Sequence, residues 1–377
     1  MATKKIIFLP FINGEAGIKW RRNLETTFLQ KDEDAQRLTA AIEEIRKEKP
    51  KTQKREEAET EEYKAALRDY YARLHEEKTK RQALWIRYLS EQTARLLEKK
   101  LNEVPHNNSS EDVVVVAALP EFFWCDINDD KKHGWSSDPK KFFEFIPNYH
   151  KPLYKPIFDF LSAQDNPLTA LTAQFQDLII FAGTALWKII NEDSHKEEKT
   201  YNTLIVYHTG KVDNIWSKCF FSSEDGFGSG KENKKGEVGI RDGQGNVTTM
   251  NQTPPFSDFH GVTFVYDICR DFVEGKDQRP LSADLYEERS PDVNVLIAAG
   301  MPLSTEKMQK IQSPVILRCD GAGPVYAEIA EKCRGNEQYP DENPNSISCE
   351  DEISKSDEIG VLVIDTEPDS DCCCIIQ

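Results

Sequence analysis

The sequence predicts an α/β fold, and three observations carry that expectation. The first is a series of short, apolar, β-branched runs with polar punctuation. They are residues 5–12, "DVVVVAALPEFFW" (112–124), "DLIIFAGTALWKI" (177–189), "HGVTFVYDICRDF" (260–272), "VNVLIAAGM" (293–301) and "SPVILRCDGAG" (313–323). A strand that is apolar on both faces belongs to a sheet covered by helices or by a second sheet. The second is that several runs are separated by segments suited to helices, at 139–162, 278–289 and 304–311. The third is length: 377 residues suit one large α/β domain with appendages.

Taken in order, the chain opens on "MATKKIIFLPFING". Its basic tip and apolar run have the outline of a signal peptide, but Pro10 breaks the run and no small-residue cleavage site follows. A first buried strand is the better reading. No apolar stretch approaches the ~20 residues of a membrane-spanning helix. Residues 24–103 differ in texture: dense Glu, Lys and Arg, almost no Gly, and Pro50 near the middle. Leu38, Ala41, Ile42 and Ile45 mark one helical stripe, and Leu67, Tyr71, Leu74, Trp85, Tyr88, Leu96 and Leu101 another. Two long helices broken near Pro50 are expected, as a projecting arm rather than ordinary surface helices. "YNTLIVYHTGKVDNIWSKCFF" (201–221) predicts a hairpin turning at Thr209-Gly210. Residues 222–253 read as a long loop. "GFGSGK" within it lacks the GxxxxGK[ST] spacing and a following helix, so no nucleotide site is expected there.

Charge and cysteines remove other classes. A net charge of −17 argues against a general nucleic-acid binder, which needs a basic face. Cysteines 125, 219, 269, 319, 333 and 349 are scattered and form no CxxC pair, so no metal site is expected. An odd total of nine, several in apolar runs, fits a reducing compartment better than a disulfide framework.

Three residues stand at the ends of expected strands, where α/β folds place their sites. Glu121 closes the run 113–120, Lys218 follows the second hairpin strand, and Cys269 closes the run 262–268. Each alone is ordinary: a helix-start glutamate, a solvated lysine, an inert core thiol. In the order Glu…Lys…Cys, with "LPEFFW", "YNTLIV…GKV…SK" and "PPFSDFHGVTFVYDICRDF" around them, the sequence resembles the nitrilase superfamily of carbon–nitrogen hydrolases. "LIAAGMPLS" sits where that family has an apolar strand beyond its nucleophile. The resemblance runs from about residue 4 to about 330, without the arm.

The resemblance implies an α-β-β-α sandwich with a long helical insertion after the first strand. Residues 1–23 and 104–334 would form the catalytic domain and 24–103 the inserted arm. It implies that Cys269 attacks a small amide or nitrile, that Glu121 moves the protons, and that Lys218 stabilises the oxyanion with help from the Arg270 backbone N–H. Glu224 stands where the family often has a second glutamate. No cofactor is implied, and the family's habit implies a homodimer. The sequence also departs from the family. Lys218 lies between Ser217 and Cys219 rather than between the usual Arg and His, and both intervals between site residues are long. Inserts at 128–166 and 222–253 account for the intervals and leave room for an inactive member.

Residues 335–371 hold twelve Asp/Glu against one Lys, and read as an acidic flexible tail. "GVLVIDTEPDSD" within it has two readings: a segment that adds as a strand to a partner, or a last strand on the domain's own sheet edge. The terminal "CCCIIQ" (372–377) places Cys374 in a C-a-a-X pattern whose final Gln favours farnesyl. One prenyl chain holds a membrane only marginally, and the acidic flank gives no help at an anionic leaflet. Cys372 and Cys373 are therefore the expected palmitoyl sites. The expected partners are a prenyltransferase, a palmitoyltransferase and the cytosolic face of a membrane. For a bacterial source that would be a host membrane reached by a secreted effector. A second class stands beside the enzyme: a nitrilase-like scaffold that binds a partner protein through the arm.

Overall fold

The computed structural model describes residues 5–12, 15–51, 60–104, 113–125, 153–190, 197–219, 240–241, 247–248, 254–273, 280–282, 291–301, 303, 313–321, 327–331, 358–365 and 375–376. The strands are β1 (Lys5–Pro10), β2 (Val113–Ala118), β3 (Leu153–Tyr154), β4 (Leu178–Ile190), β5 (Glu197–His208), β6 (Lys211–Ser217), β7 (Ile240–Arg241), β8 (Val247–Thr248), β9 (Phe256–Phe259), β10 (Val262–Ile268), β11 (Val293–Ala298), β12 (Val315–Asp320), β13 (Ala327–Glu331), β14 (Leu362–Asp365) and β15 (Ile375–Ile376). The helices are α1 (Glu15–Lys31), α2 (Glu33–Lys47), α3 (Glu61–Glu103), α4 (Lys155–Leu161) and α5 (Pro167–Gln174).

Two sheets make the body. One runs β15-β14-β1-β2-β4-β5-β6, with β3 also on β4, and the other β13-β12-β11-β10-β9. The period-2 alternation of each strand decides what its faces meet. Ile6, Phe8, Val114, Val116 and Ala118 join Phe264, Tyr266, Val295, Ile297 and Leu317 in a core between the sheets. Their neighbours Ile7, Leu9, Val115, Ala117 and Leu119 point the other way, onto Trp85, Leu97, Leu161, Leu168 and other helical residues. This is the expected α/β fold, with helices on one sheet and the second sheet on its other face. The expected helix at 304–311 and most of the one at 278–289 lie outside the described residues.

The hairpin turn is where the sequence puts it. His208 pairs with Lys211, and Thr209 and Gly210 have φ of +47° and +70°. Both central residues are left-handed, as a type I′ hairpin turn requires. His260 and Gly261 make a second such turn between β9 and β10, with φ of +50° and +76°.

The helical insertion follows the first strand as expected, but it is not wholly a projecting arm. Its helix begins at residue 15 rather than at the expected 24. Among the described residues it holds three helices rather than two, since it also breaks at Asp32, whose side chain caps α2 by accepting from Ala35 N at 2.8 Å. Such a cap contributes about 1 kcal/mol. α3 has 43 residues, about 65 Å of helix at 1.5 Å per residue. Trp85, Ile86, Leu89, Leu97 and Leu101 in its C-terminal half are buried against the first sheet and its neighbours. α2 packs along α3 and buries Ala35, Leu38, Ile42 and Ile45. The expected stripe is also one position out in places. Tyr70 is buried while Tyr71 is the one exposed large hydrophobic among the described residues. The apolar stripe of the arm is thus used within the chain.

The acidic tail needs a larger correction. Residues 358–365 are not a free linker. β14 pairs antiparallel with β1, from Lys5↔Asp365 to Phe8↔Leu362. Leu362 and Ile364 enter the core between the sheets, and Ile359 the helix-side core. Of the two readings of "GVLVIDTEPDSD", the structure has the last strand on the domain's own sheet. The chain end is also paired: Ile375 and Ile376 lie opposite Val363 and Leu362. Cys372, Cys373 and Cys374 lie outside the described residues. Among the described residues no helix is long and apolar enough to cross a membrane.

Candidate active site

Glu121 leaves the C-terminal end of β2 in a turn that the sequence does not announce. Phe122, next to it, has φ of +62°, a conformation that strains a bulky residue. The turn is held from several sides. Phe122 N donates to Thr184 Oγ1 at 2.8 Å, and Trp124 Nε1 to Ala182 O at 2.6 Å. Glu121 N donates to Ala298 O at 3.3 Å, across to the end of β11 in the other sheet. Gly183, in a bulge of β4 with φ of +64°, allows the closest approach: a Cβ there would stand 2.3 Å from Pro120 O.

Lys218 follows β6, and its backbone N donates to Asn202 O at 2.8 Å. Its Nζ donates to Glu121 Oε1 at 2.8 Å, and neither side chain has any exposed surface. Asn202 Nδ2 donates to the same oxygen, also at 2.8 Å. Glu121 Oε1 thus accepts from a cation and an amide inside the protein. A buried ion pair is costly to desolvate, so its presence is poor evidence of a stabilising device and better evidence of a site.

Cys269 opens a short 3-10 helix, Cys269–Val273, directly after β10. Its φ is +47°, so the second proposed site residue in a strained turn is the thiol itself. Ile268, just before it, pairs with Ile297, and Ala298 beyond that carries the bond to Glu121 N. On the other side, Asp271 accepts the backbone N–H of Cys219 with both carboxylate oxygens at 3.1 Å. One backbone bond, Glu121 N to Ala298 O, and one side-chain tie, Asp271 to Cys219 N, therefore draw the cysteine turn, the glutamate turn and the lysine segment to one end of the sandwich.

Cys219 is the rival thiol, since it adjoins Lys218. Burial, then the carboxylates of Asp271 and Asp267, pushes its pKa far above the ordinary thiol range. It stays protonated, and a protonated thiol is a poor nucleophile. Arg270 lies half-buried in the 3-10 helix after Cys269. Glu224 lies outside the described residues. Two residues at this end escaped the sequence reading. Asn202 looked like part of a hairpin strand, and Asp271 only like a piece of the "PPFSDFHGVTFVYDICRDF" stretch around Cys269. A polar residue on the inward face of an apolar strand was the available signal for Asn202.

No family model and no curated protein matches the sequence. Among solved structures, an amidase of the nitrilase superfamily from Nesterenkonia sp. is similar at 10% identity, covering 97% of this chain and 91% of its own, with a TM-score of 0.37. A glutamine-dependent NAD(+) synthetase from Cytophaga hutchinsonii is 11% identical over 90% of this chain and 40% of its own, with a TM-score of 0.34. A CN-hydrolase superfamily protein from Xanthomonas campestris is 12% identical over 64% and 76%, with a TM-score of 0.28. At these identities and TM-scores the likenesses bear on neither reaction nor substrate.

Proposed function

We propose that this chain is a hydrolase of non-peptide C–N bonds, amidase-type, with Cys269 as nucleophile, Glu121 as general acid–base and Lys218 as oxyanion cation. The observation that carries the reading is the fully buried Lys218–Glu121 pair, with Cys219, next to Lys218, held by the Asp271 carboxylate of the turn that the strained Cys269 opens. In the reaction, the Cys269 thiol proton passes to Glu121 as sulfur bonds to the substrate carbonyl carbon. Lys218, with the Arg270 backbone N–H, steadies the oxyanion of the tetrahedral intermediate. The C–N bond then breaks, and the amine leaves with the proton from Glu121. Water, deprotonated by Glu121, attacks the thioester, and the acid and free thiol are released. Neither a metal nor a cofactor enters this sequence.

The tail supports a second part of the proposal: farnesylation of Cys374 and palmitoylation of Cys372 and Cys373, which would anchor the enzyme to the cytosolic face of a membrane. The attaching enzymes would need the last residues free, so β15 would first have to leave β14. With a bacterial source, the anchor would be acquired in a host cell by a secreted effector. The scaffold reading remains the alternative for an inactive site. Its partner would have to meet charge, since the arm's apolar stripe is buried against the chain itself.

Turnover tests the reading. Purified protein is offered a panel of small amides and nitriles, and release of ammonia or amine is measured. Release that disappears in Cys269→Ala supports it. No release across the panel, and no covalent modification of Cys269 by electrophilic amide or nitrile probes, would leave the scaffold.

A further inference from the structure

The helical insertion reaches the proposed site through two residues, Arg21 and Trp85. Arg21, on α1, is buried and donates from Nη1 to Phe123 O at 2.7 Å. Its Nη2 reaches Cys125 O at 3.4 Å and Cys125 Sγ at 3.5 Å. Its guanidinium lies over the rings of Trp85 and Phe123, at 5.3 and 5.5 Å from their centroids. Glu25, one turn on, stands 3.5 Å from its Nε. Trp85, on α3, adds a second donor to the same carbonyl, Nε1 to Cys125 O at 3.1 Å. Two helices of the insertion therefore grip residues 123–125, the outer limb of the turn that begins at Glu121.

That turn needs holding. With Phe122 at φ +62° it is conformationally uphill, by about 1–3 kcal/mol for such a residue, and it persists only where the surroundings over-determine it. Thr184 and Ala298 fix the inner limb. The outer limb is polar backbone inside an aromatic cluster, where unmet carbonyls are costly. A guanidinium is the side chain suited to it: planar, permanently charged and able to serve two carbonyls while stacking on aromatic faces.

We propose that Arg21 is a positioning residue for Glu121, and that the helical insertion is therefore part of the active-site framework. The inference rests on the hydrolase reading for its catalytic consequence. Arg21 touches no reacting atom. It acts by keeping the turn strained, so that Glu121 Oε1 stays on Lys218 and Asn202. Any movement of α1 is passed to Glu121.

The test uses full-length protein and an electrophilic amide probe. In Arg21→Ala, melting cooperatively like wild type, the rate of Cys269 labelling falls by about 10–100-fold, since a shift of about 1 Å in a reacting group costs on the order of 100-fold. Probe affinity stays close to wild type. The pH profile changes as well: without a placed base, the rate climbs with pH as free thiolate forms. Arg21→Lys recovers part of the loss, because an ammonium keeps the charge and serves one carbonyl. Separately, alkylation of Cys125 becomes faster in Arg21→Ala. If Arg21→Ala does not fold, Trp85→Phe is used; it keeps an aromatic ring, though a smaller one, removes the second donor and shows the same changes at smaller size. A folded Arg21→Ala or Trp85→Phe with wild-type labelling rate and pH profile overturns the inference. If wild type itself is not labelled at Cys269, the hydrolase reading falls instead. Cys125 alkylation then decides alone, and no change in Arg21→Ala overturns the proposed grip.

Discussion

Lys218 Nζ lies 2.8 Å from Glu121 Oε1, and the two side chains are wholly buried. This relationship makes opposite demands on stability and function. Removing one partner leaves a buried charge unmatched and costs about 3–5 kcal/mol. Lys218→Met and Glu121→Leu should each lower the melting temperature strongly. The double variant Glu121→Leu/Lys218→Met should recover most of that loss, yet remain inactive. Thermal melts of the four proteins, beside amide turnover, check this. A double variant less stable than either single variant contradicts it.

Asn202 shares Glu121 Oε1 with Lys218. Asn202→Leu keeps the volume close and removes the donor, at about 1–3 kcal/mol for a buried hydrogen bond to a charged group. The expected effect is a fall in turnover of about 10–100-fold with little change in KM, because the glutamate loses its orientation. Steady-state kinetics of Asn202→Leu and Asn202→Gln separate loss of the donor from loss of packing.

Gly183 should tolerate nothing larger. A Cβ would stand 2.3 Å from Pro120 O, and φ of +64° is itself strained for any other residue. Gly183→Ala must push the Pro120–Glu121 turn away from β4. Loss of turnover together with a lower melting temperature is expected. A Gly183→Ala protein with wild-type values of both would show that the turn yields freely.

At the other end of β6 from Lys218, Asp213 faces His208, with His208 Nε2 2.9 Å from Asp213 Oδ1. Burial opposes ionisation of Asp213, but hydrogen bonds from His208 and Ser257 and the charges of His208 and Lys211 outweigh it, so its pKa is lowered. A carboxylate with a lowered folded value contributes stability above its ordinary value of 3.8, and this is lost as pH falls through the folded value. Asp213→Asn should therefore be less stable than wild type at pH 6, with the difference shrinking below pH ~4. Urea denaturation across that range measures it.

The anchor has its own test. In eukaryotic cells, wild type should partition to membranes and Cys374→Ser should not, and a label from a farnesyl precursor should follow the same pattern. Unchanged partition in Cys374→Ser would remove the prenyl anchor from the account.

Much of the body was legible in the sequence because its strands are apolar on both faces. "VVVVAA" and "VLIAA" have no other stable place than between layers. The turn at Thr209-Gly210 was legible because Gly210 accepts a positive φ between two β-rich runs, whereas the positive φ of the β-branched Thr209 was not. What was hidden depends on tertiary context. β14 is four residues with acidic flanks, and composition averaged over 335–371 conceals a short apolar strand that the β1 edge selects. The insertion read as an arm because its charge dominates. Only the fold shows that Trp85 and Leu97 are spent on a sheet. In the site, residue type and strand end exposed Glu121, Lys218 and Cys269. Arg21 and Asn202 act across about 100 and 81 residues of sequence, a separation over which no local pattern exists.

The central claim is that one thiol is chemically distinct from its neighbours. Wild-type protein is treated with a thiol-reactive amide or nitrile probe near neutral pH, digested, and mapped by mass spectrometry. The account predicts an adduct on Cys269 and none on Cys219, with the Cys269 adduct lost or greatly slowed in folded Glu121→Gln. Labelling of Cys219 in preference to Cys269, or equal labelling of Cys269 with and without Glu121, would contradict it.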